Sequence, residues 1–265
     1  MKPLTHFKKI RILRNIFLSL GAIFALVTAA HAQNLYVSAN VPGGSHKIFE
    51  FTPSGTQTTY ASGLDNPRGL AFDSVGNLFA TTAPEPDNIE IGRVLKFNLR
   101  NKVSTFGSAA KFFFEGLAID IAGNVYVMAN DDNSPVGAGT IFKFTPSGER
   151  IVFGSIPGQG WGLAFDSAGY FLYAADGGDQ TIYKFAPDGT WSIFVYSSAF
   201  GPNQFPVGLA FDRLGNLFVA ELKQPDANPP VPGDILKFPS GGGLPMVFHS
   251  FSRGRPEFLT FGPPR

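Results

Sequence analysis

Arg68, Glu115 and Glu257 each stand one residue before a short apolar string of a recurring type, and Trp161 and Val207 hold the same place in two further copies. Two carboxylates at related positions are the raw material of a divalent-cation site, with Glu115 and Glu257 as ligands and calcium or another divalent ion as the cofactor. A hard cation wants six or more oxygen donors, and an arginine between the carboxylates opposes it. The favoured reading is a charge-balanced cluster in which Arg68 neutralises both, because structural ion pairs use the same residue types as catalytic sites. Acidic and amide residues are also dense at Glu85, Asp87 and Glu90, at Asn130, Asp131 and Asp132, at Asp176 and Asp179, and at Glu221 and Asp226. Their summed negative field could draw calcium, a sugar or a basic partner.

Nucleophilic chemistry finds no residues. There is no cysteine, no Gly-x-Ser-x-Gly elbow, and only His46 and His249 follow residue 32. Gly158-Gln-Gly160-Trp-Gly162 has the glycines of a phosphate loop but no helix after it to supply a dipole, so it reads as a linker.

The elements that position these residues follow from repetition. Gly-Leu-Ala-Phe-Asp occurs at 69–73, 162–166 and 208–212, and as Gly-Leu-Ala-Ile-Asp at 116–120, at spacings of 47, 46 and 46 residues. A period of this size indicates a propeller or solenoid. Each copy resolves into four short strands. In the copy opened by Gly69 these are Gly69–Asp73, Leu78–Thr82, Arg93–Phe97 and Lys102–Phe106, with large Leu70 and Phe72 alternating with small Gly69 and Ala71.

Asp73-Ser-Val-Gly76-Asn77 recurs at 120–124 and 212–216, with 166–170 the variant, and predicts an Asp-capped turn with Gly in the left-handed region. Asp73, Asp120, Asp166 and Asp212 are therefore structural. Third strands recur as Ile48–Phe51, Val94–Phe97, Ile141–Phe144, Ile182–Phe185 and Ile235–Phe238, with Lys96, Lys143, Lys184 and Lys237 as a solvated stripe. Pro-Ser-Gly or Pro-Asp-Gly turns follow at 53–55, 146–148 and 187–189.

The first copy lacks its inner strand, while Pro256-Glu-Phe-Leu-Thr-Phe261 aligns with Pro67-Arg-Gly-Leu-Ala-Phe72. Joining them closes a ring and removes both sheet edges. The fold class is all-β, a β-propeller of five four-stranded blades closed by the C-terminal strand. Six blades is the alternative, should the Pro-rich stretch 222–234 hide one.

Residues 1–32 read as a signal peptide. Lys2, Lys8, Lys9, Arg11 and Arg14 precede the 15-residue apolar run 16–30, and Ala30-His31-Ala32 is a small-x-small cleavage pattern. The run falls short of the roughly 20 residues that span a bilayer. The expectation is a secreted 33–265 propeller domain, periplasmic or extracellular, monomeric, and with no membrane contact after cleavage. Removing five basic residues leaves 16 against 20 acidic ones, a charge of −4 that argues against nucleic acid.

The copy Leu172-Tyr-Ala-Ala-Asp176-Gly-Gly-Asp-Gln-Thr-Ile-Tyr-Lys-Phe185 resembles the NHL repeat, and the match runs over 34–265. The chain is also similar to the wider six-bladed gluconolactonase and senescence-marker-protein superfamily. The resemblance implies a ligand site at the channel mouth, where the inner strands begin. Glu115-Gly116 resembles that family's metal-binding Glu-Gly pair, whereas Trp161, Val207 and the Glu257-Phe258 pair depart from its pattern. The candidate ligand-binding residues at the mouth are Arg68, Glu115, Trp161, Asp176, Glu221 and Glu257. Phe200 and Phe205 are further candidates to stack a sugar or peptide. The leading reading is a non-catalytic module for a small molecule, glycan or protein. The alternative is a metal-dependent lactone hydrolase, with Glu115 as ligand and Asp176 or Glu221 as general base.

Overall fold

The computed structural model describes residues 34–39, 46–52, 56–82, 91–131, 138–224, 231–252 and 255–261. The proposed signal peptide lies outside them. Every described sheet is a four-stranded antiparallel meander. The first blade contains β1 (Leu35–Ala39), β2 (Lys47–Phe51) and β3 (Gln57–Ser62), and the second β4 (Pro67–Phe72), β5 (Leu78–Thr82), β6 (Ile91–Phe97) and β7 (Val103–Ala110). The third holds β8 (Phe113–Ile119), β9 (Val125–Asn130), β10 (Gly139–Phe144) and β11 (Arg150–Ile156). The fourth holds β12 (Gly160–Phe165), β13 (Leu172–Asp176), β14 (Thr181–Phe185) and β15 (Trp191–Val195). The fifth holds β16 (Gln204–Phe211), β17 (Leu217–Lys223), β18 (Asp234–Phe238) and β19 (Met246–Ser250). Strand β20 (Leu259–Phe261) pairs with β1 through Leu35↔Phe261 to Val37↔Leu259, completing the first blade. The molecule is a five-bladed propeller with the expected closure, and the six-bladed alternative is set aside.

Strands β4, β8, β12, β16 and β20 are neighbours in a ring around the axis. Glycine is required there because blades meet backbone to backbone. A Cβ on Gly69 would lie 2.7 Å from the Glu115 carbonyl oxygen, one on Gly116 2.5 Å from that of Trp161, and one on Gly162 2.2 Å from that of Val207. One on Gly208 would lie 2.2 Å from the Glu257 carbonyl. Real Cβ atoms do not approach that closely, so only glycine lets five strands converge.

Packing between strands repeats five times. Each fourth strand carries a bulge at one place, opposite Ile48/Phe49, Val94/Leu95, Ile141/Phe142, Ile182/Tyr183 and Ile235/Leu236. The extra residue is always aromatic: Tyr60, Phe106, Phe153, Phe194 or Phe248. Each meets its blade's second-strand aromatic edge to face, as in Phe106 on Phe79 at 5.2 Å and 88° and Phe153 on Tyr126 at 5.0 Å and 89°. Tyr60 meets Tyr36, Phe194 meets Tyr173 and Phe248 meets Phe218 in the same way. Such pairs add about 0.5–1.5 kcal/mol each beyond area burial. The second-strand ring then touches the inner-strand Phe of the next blade, Tyr36 on Phe72, Tyr126 on Phe165, Tyr173 on Phe211 and Phe218 on Phe261. That contact glues blade to blade.

The third-strand lysines are not a solvated stripe. They are half-buried, and each lies across from a second-strand ring: Lys96 over Phe79 at 5.1 Å, Lys143 over Tyr126 at 5.4 Å, Lys184 over Tyr173 at 5.9 Å and Lys237 over Phe218 at 5.5 Å. Strand pairing puts each lysine directly opposite its ring, which gives the cation a π-face and its stem apolar cover. In the first blade Glu50 takes the lysine's place, and Tyr36 adapts by donating its hydroxyl to Glu50 Oε1 at 2.7 Å.

The turns are as expected. Asp73 Oδ1 accepts the Val75 and Asn77 amides, Asp120 and Asp212 repeat the pattern, and Asp166 accepts the Tyr170 amide. Gly76, Gly123, Gly169 and Gly215 have φ of 95°, 80°, 69° and 78°. The 53–55 turn lies outside the described residues.

Candidate functional site

The residues before the inner-strand glycines occupy a backbone irregularity. Pro67 pairs with Thr82 and Leu70 with Ala80, so Arg68 and Gly69 together face the single Thr81. Glu115 and Gly116 likewise face Met128, and Trp161 and Gly162 face Ala175. In the fifth blade Val207 is the extra residue between Pro206 and Gly208. Bulges re-aim side chains and end regular pairing. Here one bulge in each of the second to fifth blades breaks the alternation at the channel mouth.

Thr81 stitches the first of these bulges. Its hydroxyl accepts the Gly69 amide at 2.8 Å and donates to the Glu115 carbonyl, tying two blades together.

Arg68 is the centre of the cluster. Its Nη1 lies 3.3 Å from Glu115 Oε2 and 4.0 Å from Glu257 Oε2, and its guanidinium sits 5.8 Å from the Trp161 ring centre. Trp161 in turn stacks on Phe258 at 6.5 Å and 28°. Five residues from four inner strands therefore converge. Phe258 stands where the other copies have glycine. The sequence showed that mismatch as a departure from the Glu-Gly pattern without marking Phe258 as a site residue.

Glu115 is only 5% exposed. Burial pushes its carboxyl up to about 7; Arg68 pulls it down and Glu257 pushes it further up. The Arg68 contact is a close charge pair without hydrogen-bond alignment, because Glu115 Oε2 and Arg68 Nε have no hydrogen-bond partner. Desolvation therefore outweighs attraction.

Other candidates stand apart. Asp176 is fully buried, and its carboxylate accepts the amides of Gly158 at 2.8 Å, Gly178 at 2.9 Å and Asp179 at 3.1 Å. It pins the linker before β12 to the turn after β13, and its lone pairs are committed there. Burial still raises its pKa, against those three amides. Asn130 is a second linker clamp. It donates to the Gly160 carbonyl at 2.8 Å and accepts the Gly160 amide at 3.0 Å.

Glu221 is 1% exposed and lies opposite Asp234, whose Oδ2 holds Lys223 Nζ at 2.5 Å. Burial pushes Glu221 up to about 7, with Lys223 lowering and Asp234 raising it. Its Oε1 has no hydrogen-bond partner. Two residues lie otherwise than their sequence positions suggest. Val207 does not face the mouth but is fully buried among Ala210, Phe218, Leu222 and Leu259, and Phe200 is buried against Phe238 rather than open to a ligand. Glu85, Asp87, Glu90, Asp132 and Asp226 lie outside the described residues.

The mouth does not suit a divalent cation. Arg68 bridges the two carboxylates, while Trp161 and Val207 bring no oxygen from their side chains. Among the described residues no three His, Asp or Glu converge as ligands. Below the glycine ring the channel holds about 160 Å³ between residues such as Leu70, Leu117, Leu163 and Leu209. Small-molecule sites usually begin near 300 Å³, a larger space than this channel offers.

No family model and no curated protein matches the chain. Among solved structures it is similar to a chain of a nidogen/laminin complex, at 14% identity and TM-score 0.63, covering 88% of this chain and 99% of that one. A gluconolactonase from Xanthomonas campestris is similar at 15% identity and TM-score 0.57, covering 88% and 84%. A calcium-binding protein, regucalcin, from Agrobacterium tumefaciens gives 14%, 0.57, 88% and 79%. At these identities the likeness is one of fold, and that fold is the β-propeller, here with five blades.

Proposed function

We propose that this propeller is a binding module that uses the bulged rim of its channel to hold a protein, glycan or small molecule. The observation that carries this is the convergence of Arg68 with Glu115, Glu257 and Trp161. Such a patch is pre-organised, mixing charge and aromatic surface at little ordering cost. The nidogen/laminin neighbour supports a protein partner, since this fold there stands in a protein complex.

A second reading, a metal-dependent lactone hydrolase, draws on the gluconolactonase neighbour and on Glu115 and Glu221, whose pKa values near 7 suit proton transfer. Against it, Glu115 lies behind Arg68 and the donors for a metal are wanting. Export is part of the proposal. The basic run before residues 16–30 supports cleavage after Ala32, which N-terminal sequencing of secreted protein tests.

The chain has two tryptophans, so Trp191→Phe leaves Trp161 as sole reporter. Titration with glycan and peptide panels should give a saturable emission change that Arg68→Met abolishes. Chelator-sensitive lactone turnover lost in Glu115→Gln would establish the hydrolase instead.

A further inference from the structure

The face opposite the mouth has a different surface. Chain direction places there the turns joining inner to second strands and third to fourth strands. Those turns carry Val75, Leu99, Ile121, Tyr170, Leu214 and Leu244, each 58–86% exposed. Among the described residues the mouth face shows one exposed large apolar side chain, Tyr196. Between Ile121 and Tyr170 a slot of about 250 Å³ opens, floored by Tyr126, Phe153 and Phe165.

The same turns carry exposed Arg100, Lys102, Arg150 and Arg213 against two exposed acids, Glu149 and Asp188. Asp73, Asp120, Asp166 and Asp212 are occupied in capping their turns.

We propose that this face docks on the surface of an anionic lipid bilayer, with the apolar tips entering the interface and the basic residues meeting headgroups. Two features favour a bilayer over a protein. The six tips are spread over four blades, Val75 and Leu99 on the second, Ile121 on the third, Tyr170 on the fourth and Leu214 and Leu244 on the fifth, whereas a protein partner needs contiguous complementary area. A fluid interface instead accepts isolated side chains that lie at one depth, and it rewards basic residues beside them. The apolar residues sit at positions the turn does not need, since Asp caps and left-handed glycines make the turn. The proposal revises the expectation of no membrane contact, which followed from the lack of a spanning run. Lying on a surface is a different requirement.

The test uses residues 33–265, since β20 and β1 close the ring without the preceding segment. Sedimentation is measured with vesicles of phosphatidylcholine alone and with 30 parts in 100, roughly, of phosphatidylglycerol. The proposal expects binding to the anionic vesicles that weakens as salt rises, and a tenfold or greater loss, roughly, in Ile121→Ser/Leu214→Ser and in Arg100→Glu/Arg213→Glu. With both native tryptophans replaced by Phe, Ile121→Trp should shift to the blue and be quenched by brominated lipid. No binding above pure phosphatidylcholine overturns the proposal, as does binding indifferent to both double variants. A soluble dimer that Ile121→Ser/Leu214→Ser converts to monomer also overturns it, making the face a self-interface. Loss of rim binding in the Trp161 titration leaves this proposal untouched, so the two fail separately.

Discussion

The two ends of the inner strands obey different rules. At the lower end Phe72, Ile119, Phe165, Phe211 and Phe261 are nearly one residue type, and all but Ile119 pack edge-on or tilted against the second-strand ring of the preceding blade. At the upper end Arg68, Glu115, Trp161, Val207 and Glu257 share a backbone position and nothing else. Packing dictates the first set because each ring fills the same space between blades. A bulge frees Arg68, Glu115, Trp161 and Val207 from that space, and Glu257 precedes its strand, so side chains differ without cost to the ring. Where the backbone repeats and the residues do not, the molecule has room for specificity.

The first way to break this comparison is to attack the glycine ring that separates the two ends. Gly162→Ala would press a Cβ to 2.2 Å from the Val207 carbonyl and 3.0 Å from the Leu209 nitrogen, with backbone on both sides. It should cost about 4 kcal/mol or prevent folding, read by urea denaturation. Gly241→Ala, in open space, should change stability by less than about 0.5 kcal/mol.

Two buried carboxyls, Glu115 at the rim and Glu221 apart from it, should reveal themselves by pH. Glu115 and Glu221 have folded pKa values raised from 4.5 to about 7, so between these values the folded state holds more protons than the unfolded. Stability is therefore full below about 4.5 and falls as pH rises toward 7, by about 3 kcal/mol per group at 1.4 kcal/mol per unit. Glu115→Gln should flatten this slope by its share in melts across pH 4.5–8.

The lower, repetitive layer gives a smaller effect. Phe106→Ala removes a half-buried bulge aromatic and should cost about 2 kcal/mol without altering the pH slope. Smaller again is Lys143→Met, which loses one half-buried cation–π contact and should cost no more than about 1 kcal/mol.

Much of the fold was legible because it is periodic. The Gly-Leu-Ala-Phe-Asp spacing located the inner strands, the Asp-x-x-Gly turns located their hairpins, and Pro256–Phe261 announced the closure. The fourth-strand bulge was not legible, although Tyr60, Phe106, Phe153, Phe194 and Phe248 were in plain view. One inserted residue breaks alternation, and only pairing shows which. The lysine column was in view, but its seat on the second-strand rings depends on strand pairing and was not.

At the site, the position before each glycine was readable, and so was the grouping of Arg68 with Glu115 and Glu257. The state of individual side chains was not. Val207 turns inward because its neighbours in the fifth blade leave an apolar space. Asp176 is engaged by amides of residues 158, 178 and 179, the first of them 18 positions away. Contacts of that kind are set by how blades dock, which local pattern does not encode.

The central claim is that the bulged rim binds without doing chemistry. Glycan and peptide arrays probed with residues 33–265 and with the Arg68→Met/Trp161→Ala variant test it most directly, with lactone hydrolysis followed in parallel with and without chelator. The account predicts array partners that the wild type holds and the variant loses, with no turnover in either. Identical array profiles together with chelator-sensitive hydrolysis in the wild type would contradict it.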